Sequence, residues 1–209
     1  MIETLHGFTV RPFQKGHEEG CYNVCLKTGD NGNDGTQLFT DPNILGHLYV
    51  GPYLKFEKDL SYVLTDEIEV CGYALAALDT LAFHKHFLNE WLPPLRAKYP
   101  MPHGPEALWD ETEKCIAELH RPKTFYPESF HPFPSHLHID LLPKAQGKGI
   151  GTRMMGILLD DLKQRGSAGV HLAMAETNDR AGYFYRKLGF HKLCQIPGDA
   201  IYMGRAFNG

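Results

Sequence analysis

A glycine-rich stretch at residues 146–151, Gln-Gly-Lys-Gly-Ile-Gly, has the residue types and spacing that most directly indicate chemistry. Its glycines carry no Cβ atom, so the backbone there can approach an anion closely. Free N–H groups in such a turn, next to the positive end of a helix, form a site for a phosphate or a diphosphate. The alternative interpretation is a strand-to-helix turn that binds nothing.

The segments on both sides of this turn predict the elements that would position it. Residues 137–142 are mostly apolar and read as a buried strand. After the turn, apolar residues recur at intervals of four, at Ile150, Met154, Leu158 and Leu162. This spacing predicts an amphipathic helix with one buried face. The sequence therefore predicts a strand, a glycine-rich turn and a helix in succession.

Two common phosphate-binding patterns do not fit this turn. A P-loop, G-x-x-x-x-G-K-[ST], would need its second glycine five residues after Gly147, where Thr152 stands. A dinucleotide fingerprint, G-x-G-x-x-G, fails at the same threonine. The pattern that does fit is Q-x-x-G-x-G, formed by Gln146, Gly149 and Gly151.

A second motif lies at residues 178–190, after an apolar run at 170–174 that reads as a buried strand. Asn178 is suited to cap a helix, and Gly189 stands where that helix would end in a left-handed turn. The segment matches the pattern N-x-x-A-x-x-x-Y-x-x-x-G-F. In order and spacing, the two motifs resemble the two signatures of the GNAT acetyltransferase superfamily, whose glycine-rich loop binds the diphosphate of acyl-coenzyme A.

This resemblance implies an α/β GNAT fold, with a mixed, mostly antiparallel central sheet, splayed fourth and fifth strands, and flanking helices. It implies one domain over residues 1–209, with an inserted segment at about 79–134 on the acceptor side. Short stretches elsewhere resemble the C-terminal acetyltransferase-like domain of O-GlcNAcase and its stand-alone bacterial relatives; they begin at Asn43, Cys71, Trp91, Lys98 and Pro134. In the animal proteins that domain is regarded as a pseudo-acetyltransferase with a degenerate coenzyme loop, whereas the loop is intact here.

The function implied is N-acetylation, in which an acetyl group moves from acetyl-CoA, as co-substrate, to an unidentified amine. The alternative is a catalytically silent domain that binds acetyl-CoA or a partner. In the GNAT pattern Tyr185 is the general acid that protonates the leaving sulfur, although it could instead be a core aromatic. The implied coenzyme-binding residues are Leu141, Leu142, Gln146, Gly147, Lys148, Gly149, Ile150, Gly151, Thr152 and Asn178.

The general base is left open by the sequence. Asp140, on the strand beside the reacting centre, and Glu176, at the end of the next strand, are the two catalytic candidates. Asp79 and His138 are candidates for contacts with the acceptor, and His138 is a further possible base. Each of the carboxylates is also suited to bind an acceptor cation or a backbone amide.

Composition limits the possible partners and compartment. The 209 residues carry a net charge of −4, so neither nucleic acid nor an anionic membrane is an expected partner. No signal peptide or spanning segment is evident, and five cysteines without C-x-x-C pairs suggest a reducing, cytoplasmic location. Clustered histidines suggest a metal site as an alternative, but we expect none because the cysteines are not nearby and no third carboxylate ligand is evident; the clusters are His131, His136 and His138, or His84 and His86. The oligomeric state is not predicted.

Further elements are predicted by local pattern. We expect a first strand at 8–12, a helix at 18–27 and a surface loop at 28–40. Asp41 should cap a helix that has Pro42 at its first position and runs towards Tyr49. Two further elements complete the prediction: a hairpin with arms 61–65 and 70–78, and a helix at 106–120.

Overall fold

The computed structural model describes residues 2–198 and 200–207. Its strands are β1 (Glu3–Leu5), β2 (Phe8–Pro12), β3 (Ser61–Thr65), β4 (Val70–Ala77), β5 (Ser135–Leu141), β6 (Gly169–Ala175), β7 (His191–Ile196) and β8 (Ala200–Ala206). Its α-helices are α1 (Glu18–Lys27), α2 (Ile44–Tyr49), α3 (Gly51–Phe56), α4 (Thr80–His86), α5 (Leu92–Lys98), α6 (Glu111–His120), α7 (Ile150–Gln164) and α8 (Asp179–Lys187).

The strands form one sheet in the order β1-β2-β3-β4-β5-β6-β8-β7. Only β5 and β6 are parallel neighbours; the other described neighbours are antiparallel. These two parallel strands share just two residue pairs, Ser135 with Val170 and His136 with His171, and then separate. The predicted GNAT fold with two splayed strands is therefore confirmed. The splayed strands are the fifth and sixth because β1 precedes the predicted first strand.

The two faces of the sheet carry separate cores. The predicted apolar stripe of α7 is fully buried on one face, at Ile150, Met154, Leu158 and Leu162. Helices α1, α2, α3 and α5 cover the opposite face. Strand β4 is buried along its whole length because both layers pack against it. Residues from alternate positions of β5 thus face either α7 or the opposite layer.

Several predicted boundaries were wrong. Asp41 does not cap α2, which begins at Ile44; its carboxylate accepts from the Asn43 N–H in a turn instead. The helix predicted at 106–120 begins at Glu111, because Asp110 and Glu113 form a capping box there. Leu108, expected inside that helix, is exposed in a short 3₁₀ turn.

The segment between β4 and β5 contains α4, a π-helical turn at Phe87–Trp91, α5 and α6. Helix α6 packs against α2 and α5, so this segment extends the layer on the side of the sheet opposite α7. None of the helices described is both long enough and apolar enough to span a bilayer.

Candidate active site

The glycine-rich turn presents a row of unpaired backbone donors. Gly147 and Gly149 have φ angles of 72° and 75°, in the left-handed region that favours glycine. The first hydrogen bond of α7 runs from the Arg153 N–H to the Gly149 carbonyl. Within the described residues, no group accepts a hydrogen bond from the amides of residues 147–152. A turn with these donors at a helix N-terminus fits a diphosphate.

Gln146 ties this turn to the strand before it and to the helix across the splay. Its Nε2 donates to the Leu141 carbonyl at 2.7 Å, and its Oε1 accepts from Arg180 of α8 at 2.7 Å. Its own backbone N–H is paired with the Pro143 carbonyl. Lys148 donates to the Lys144 carbonyl at 2.8 Å and therefore braces the turn. Gln146 thus spans the mouth of the opening between β5 and β6.

Leu141 and Leu142 differ in what their backbone offers a ligand. The Leu142 N–H donates to the Cys71 carbonyl of β4 at 2.8 Å and is therefore engaged. Peptide groups alternate in direction along an antiparallel ladder, so the Leu141 N–H points away from β4, into the splay. No partner for that N–H exists among the residues that the structure describes. Leu141 is therefore the backbone donor beside the opening.

Tyr185 of α8 lies on the side of the sheet that carries α7. Tyr185 is 8% exposed, and its ring contacts those of Phe184 and Phe190 at centroid distances of 5.4 and 5.8 Å. In the described part of the chain its hydroxyl has no hydrogen-bond partner. Burial raises the pKa of this phenol, and the nearby Asp140 carboxylate raises it further. The phenol is therefore protonated at neutral pH.

Asp140, His138 and Tyr73 form a hydrogen-bonded cluster on the face opposite α7. Asp140 Oδ2 accepts from the Tyr73 hydroxyl at 2.6 Å and from His138 Nε2 at 2.7 Å. The side chains of Asp140 and His138 are each 27% exposed. A carboxylate only accepts, so the histidine proton lies on Nε2 and the Nδ1 lone pair is left available. The cluster therefore presents the His138 imidazole, held in place by Asp140, and a carboxylate oxygen, both partly exposed.

Comparison with known proteins places this geometry in a family. The family model described as "Acetyltransferase (GNAT) family" matches residues 49–190. The chain belongs to the GNAT acetyltransferase family. Proteins of this family use acetyl-CoA, and a solved neighbour with 15% identity and a TM-score of 0.55, yncA from Salmonella typhimurium, contains acetyl-CoA. At that identity the likeness concerns the GNAT fold alone.

Similar proteins narrow the relationship within the GNAT family. The chain is 32% identical over 210 residues to Protein O-GlcNAcase of Rattus norvegicus and of Mus musculus. The match covers 99% of this chain but 23% of each of those proteins, so the chain spans about a quarter of their length. The crystal structure of SsHAT is 36% identical, with a TM-score of 0.88, and covers 96% of this chain and 98% of that one. The predicted likeness to the O-GlcNAcase acetyltransferase-like domain is confirmed.

Two of the carboxylates predicted from the sequence have other tasks in this GNAT domain. Glu176 accepts hydrogen bonds from the Gln195 side chain and, at 3.1 Å, from the Gly198 N–H, so it holds the β7–β8 turn. Asp79 caps α4 by accepting from the Ala82 N–H at 2.9 Å. The structure therefore does not bring either carboxylate to the Asp140 cluster. Of the three acidic candidates, only Asp140 is hydrogen-bonded to His138.

Asn178 occupies the predicted capping position of α8. Its Oδ1 accepts from the Ala181 N–H at 3.0 Å, and its Nδ2 donates to the Asn31 carbonyl at 3.2 Å. The second bond joins α8 to the loop after α1. The Asn178 side chain thus lies at the rim of the opening, with Gln146 and Arg180.

Three of the histidines pack together as a cluster of rings. His136 lies between His84 and His171, at ring-centroid distances of 5.9 and 5.7 Å. Burial lowers the pKa of all three rings, and that of His171 falls to about 4, so they are neutral at physiological pH. Over the described ranges, no group of three or more His, Cys, Asp or Glu side chains is arranged so that it could hold a metal ion.

Two residues of the site were not predicted from the sequence. Tyr73 falls within a predicted hairpin arm with no role assigned to it, although it directly opposes Asp140 in the β4–β5 register. Cys25 of α1 lies beside the Tyr73 hydroxyl, and burial raises the pKa of its thiol. Neither position has a local sequence signal because each acts through a partner far away in the chain.

Proposed function

We propose that this protein transfers an acetyl group from acetyl-CoA to an amine. The observation that carries the proposal is the row of unpaired amides at residues 147–152, at the start of α7 and beside the splayed strands. On one side of the splay lies a protonated phenol, Tyr185, and on the other a carboxylate–histidine pair. An acyl transfer requires these three functions together: anchoring of the donor, removal of a proton from the amine, and protonation of the leaving thiolate.

On the donor side, the amides from Gly147 to Thr152 hold the diphosphate, with Lys148 close by. The unpaired Leu141 N–H points into the splay, where it donates to the thioester carbonyl and stabilises the negative charge that develops there. Leu142 takes no part through its N–H, since that group is bonded to Cys71. Asn178 and Gln146 contact the coenzyme at the rim.

On the acceptor side, His138 takes the proton from the attacking amine through Nδ1. Asp140 holds the Nε2–H of this imidazole and stabilises the cation that forms, and Tyr73 fixes the carboxylate. Both bonds to Asp140 use Oδ2, so Oδ1 is available to orient an acceptor ammonium group. This arrangement combines the two roles that the sequence left open between Asp140 and His138.

Tyr185, on the other side of the sheet, protonates the leaving thiolate. Its raised pKa keeps the proton on the phenol at neutral pH, where it can be given to the departing sulfur. Because the hydroxyl has no partner within the described residues, it is available to a ligand in the splay. The Asp140 charge contributes to this raised pKa, so the two side chains lie within electrostatic range of each other.

The amine approaches over Tyr49, which is 36% exposed and stands between the inserted segment and the cluster. Its ring lies 6.2 Å from that of His138, and its hydroxyl donates to Glu118 of α6 at 3.2 Å. An aromatic face and carboxylates suit a cationic amine before it loses its proton. On this proposal the inserted segment contributes to the acceptor side, a role that stays a prediction.

Calorimetry and turnover assays together test the proposal. We expect saturable binding of acetyl-CoA, and release of free thiol when members of an amine library are added. Tyr185→Phe should bind acetyl-CoA normally while kcat falls by about 10²-fold, the usual contribution of a general acid. Failure of the wild-type protein to bind acetyl-CoA would contradict the proposal. Unchanged turnover in Tyr185→Phe would remove only that residue from it.

A silent coenzyme-binding domain is the second candidate. One observation favours it: the Gln146 amide is bonded to the Leu141 carbonyl, at the edge of β5 that a coenzyme chain would line. If this bond persists when acetyl-CoA binds, the coenzyme would sit too far from Asp140 to react. Binding of acetyl-CoA without turnover of any amine, in the native protein and in Gln146→Ala, would support this candidate.

A further inference from the structure

A second cleft of about 820 Å³ lies between α1 and the β3–β4 turn. Arg11 and His17 line one part of it, and Glu19 and Glu67 line its rim. None of the residues assigned to acyl transfer lines this cleft. It is therefore a separate feature of the molecule.

Arg11 is the unusual residue of this cleft. It is half-buried on β2, yet its guanidinium donates no hydrogen bond and forms no ion pair to any described residue. Its Nε is fully buried without a partner, and Thr65 Oγ1 in the same wall is also buried and unpaired. An arginine offers five donors in a planar fork, and leaving the buried Nε–H of Arg11 unpaired is costly. The fork matches the geometry of a carboxylate.

The neighbouring histidine adds a donor of the same kind. His17 Nδ1 accepts a hydrogen bond from the Gln14 N–H at 3.1 Å, so a neutral ring carries its proton on Nε2. Burial, and then the Arg11 charge, lower the pKa of this ring, which keeps it neutral. Arg11 and His17 thus present N–H donors with no anion between them.

The carboxylates at the rim limit the charge of the ligand. Asp66 and Glu69 share one cation, Lys144, at 2.7 and 2.6 Å, so together the three groups keep one negative charge. Glu19 and Glu67 have no ion-pair or hydrogen-bond partner in the described part of the chain. They would repel a phosphate or a dicarboxylate but attract an ammonium group.

We infer that this cleft binds a free α-amino acid, with its carboxylate on Arg11 and His17 and its ammonium group towards Glu19 and Glu67. The ligand is a zwitterion because the cleft is lined by a half-buried, unpaired cation and by exposed, unpaired anions. This inference does not depend on acetyl transfer, since the cleft shares no residue with the proposed active site.

The test is a titration of the full chain, without coenzyme, with each of the twenty standard L-α-amino acids at millimolar concentration. Binding is followed by amide chemical shifts and by thermal unfolding. We expect at least one amino acid to bind saturably, with shifts confined to residues around Arg11, His17 and the β3–β4 turn. Its N-acetyl derivative and its decarboxylated amine should bind at least about 10-fold more weakly, because each lacks one charge.

Variants locate the site. Arg11→Gln should weaken binding by about 10- to 100-fold and Glu19→Gln by less, since a bond to a charged group is worth about 1.5–3 kcal/mol. Arg121→Gln, which removes an exposed arginine paired with Glu106, is the matched control and should bind normally. Because Arg11 has no side-chain partner, Arg11→Gln should fold with an unchanged or higher Tm. No response to any amino acid, equal affinity in Arg11→Gln, or equal affinity for the N-acetyl derivative would overturn the inference.

Discussion

The Tyr73 hydroxyl donates a 2.6 Å hydrogen bond to Oδ2 of Asp140, its direct partner in the β4–β5 ladder. Tyr73 is fully buried, and burial together with the Asp140 charge raises its pKa well above the usual range. The phenol therefore always donates, and the carboxylate is held in one orientation. The register of two paired strands, and not a flexible loop, thus sets the position of the carboxylate that supports His138, the proposed base.

Replacing Asp140 by Asn should lower kcat/KM by about 10²- to 10⁴-fold, because the amide cannot support a protonated His138. Tyr73→Phe keeps the carboxylate and removes only its anchor, so we expect a loss of about 10-fold or less in rate. The measurement is the initial rate of thiol release as a function of pH. An Asp140→Asn enzyme with the native pH profile would show that the proton goes elsewhere.

Gly149→Ala should weaken acetyl-CoA binding and lower the free energy of unfolding by about 1–2 kcal/mol, because Gly149 has a φ of 75°. Gly156 is the matched control: it lies inside α7, and a Cβ atom added there would meet no other atom within 4 Å. There the same substitution should stabilise the protein by up to about 1 kcal/mol and leave binding unchanged. Chemical denaturation and calorimetry of both variants give the comparison; equal binding by the two would contradict the role of the turn.

Stability should fall as the pH drops below about 6.5, the ordinary histidine pKa. Burial holds the pKa of folded His171 at about 4, so the unfolded chain binds the proton first between these values. For this ring, the free energy of unfolding falls by about 1.4 kcal/mol per pH unit, and the fall ends near pH 4. His136, whose pKa is also lowered, makes the fall larger. Urea denaturation at several pH values measures the slope. His171→Gln, which keeps a donor for the Phe133 carbonyl, should reduce it.

Asp79→Ala should destabilise the protein by about 1 kcal/mol because α4 loses its cap, whereas Asp79→Asn should retain most of that stability. Both variants should keep the KM for the acceptor if the residue only caps the helix. A raised KM for the acceptor in Asp79→Asn, with native stability, would show that Asp79 also contacts the acceptor. Thermal unfolding and steady-state kinetics distinguish the two outcomes.

The glycine-rich turn, α7 and the Asn178 cap could be predicted because their signals are local. Glycine at positive φ, a stripe of apolar residues and a capping side chain each act within a few residues of the chain. The splay itself was predicted only through the family resemblance. Strands β5 and β6 form two residue pairs and then diverge, and this depends on contacts between segments that are distant in the chain.

The polar cluster could not be predicted in full, because it depends on the register of β4 against β5. A shift by one residue would turn Tyr73 away from Asp140. For the same reason Glu176 and Asp79 looked equivalent to Asp140 in the sequence, since all three stand in or at the end of predicted strands. Their partners separate them: Glu176 accepts from the distant Gly198 N–H, whereas Asp79 accepts from the Ala82 N–H as a local cap of α4.

The two-residue contact between β5 and β6 has a consequence for the protein when it is kept without a ligand. Beyond His136 and His171 no ladder pairs join the described residues of the two strands, although the Leu141 carbonyl accepts from Gln146, so the molecule contains two partly open sheet borders. Such borders attract any extended chain that can reach them. Preparations handled without coenzyme are therefore those in which self-association through added strands is to be expected.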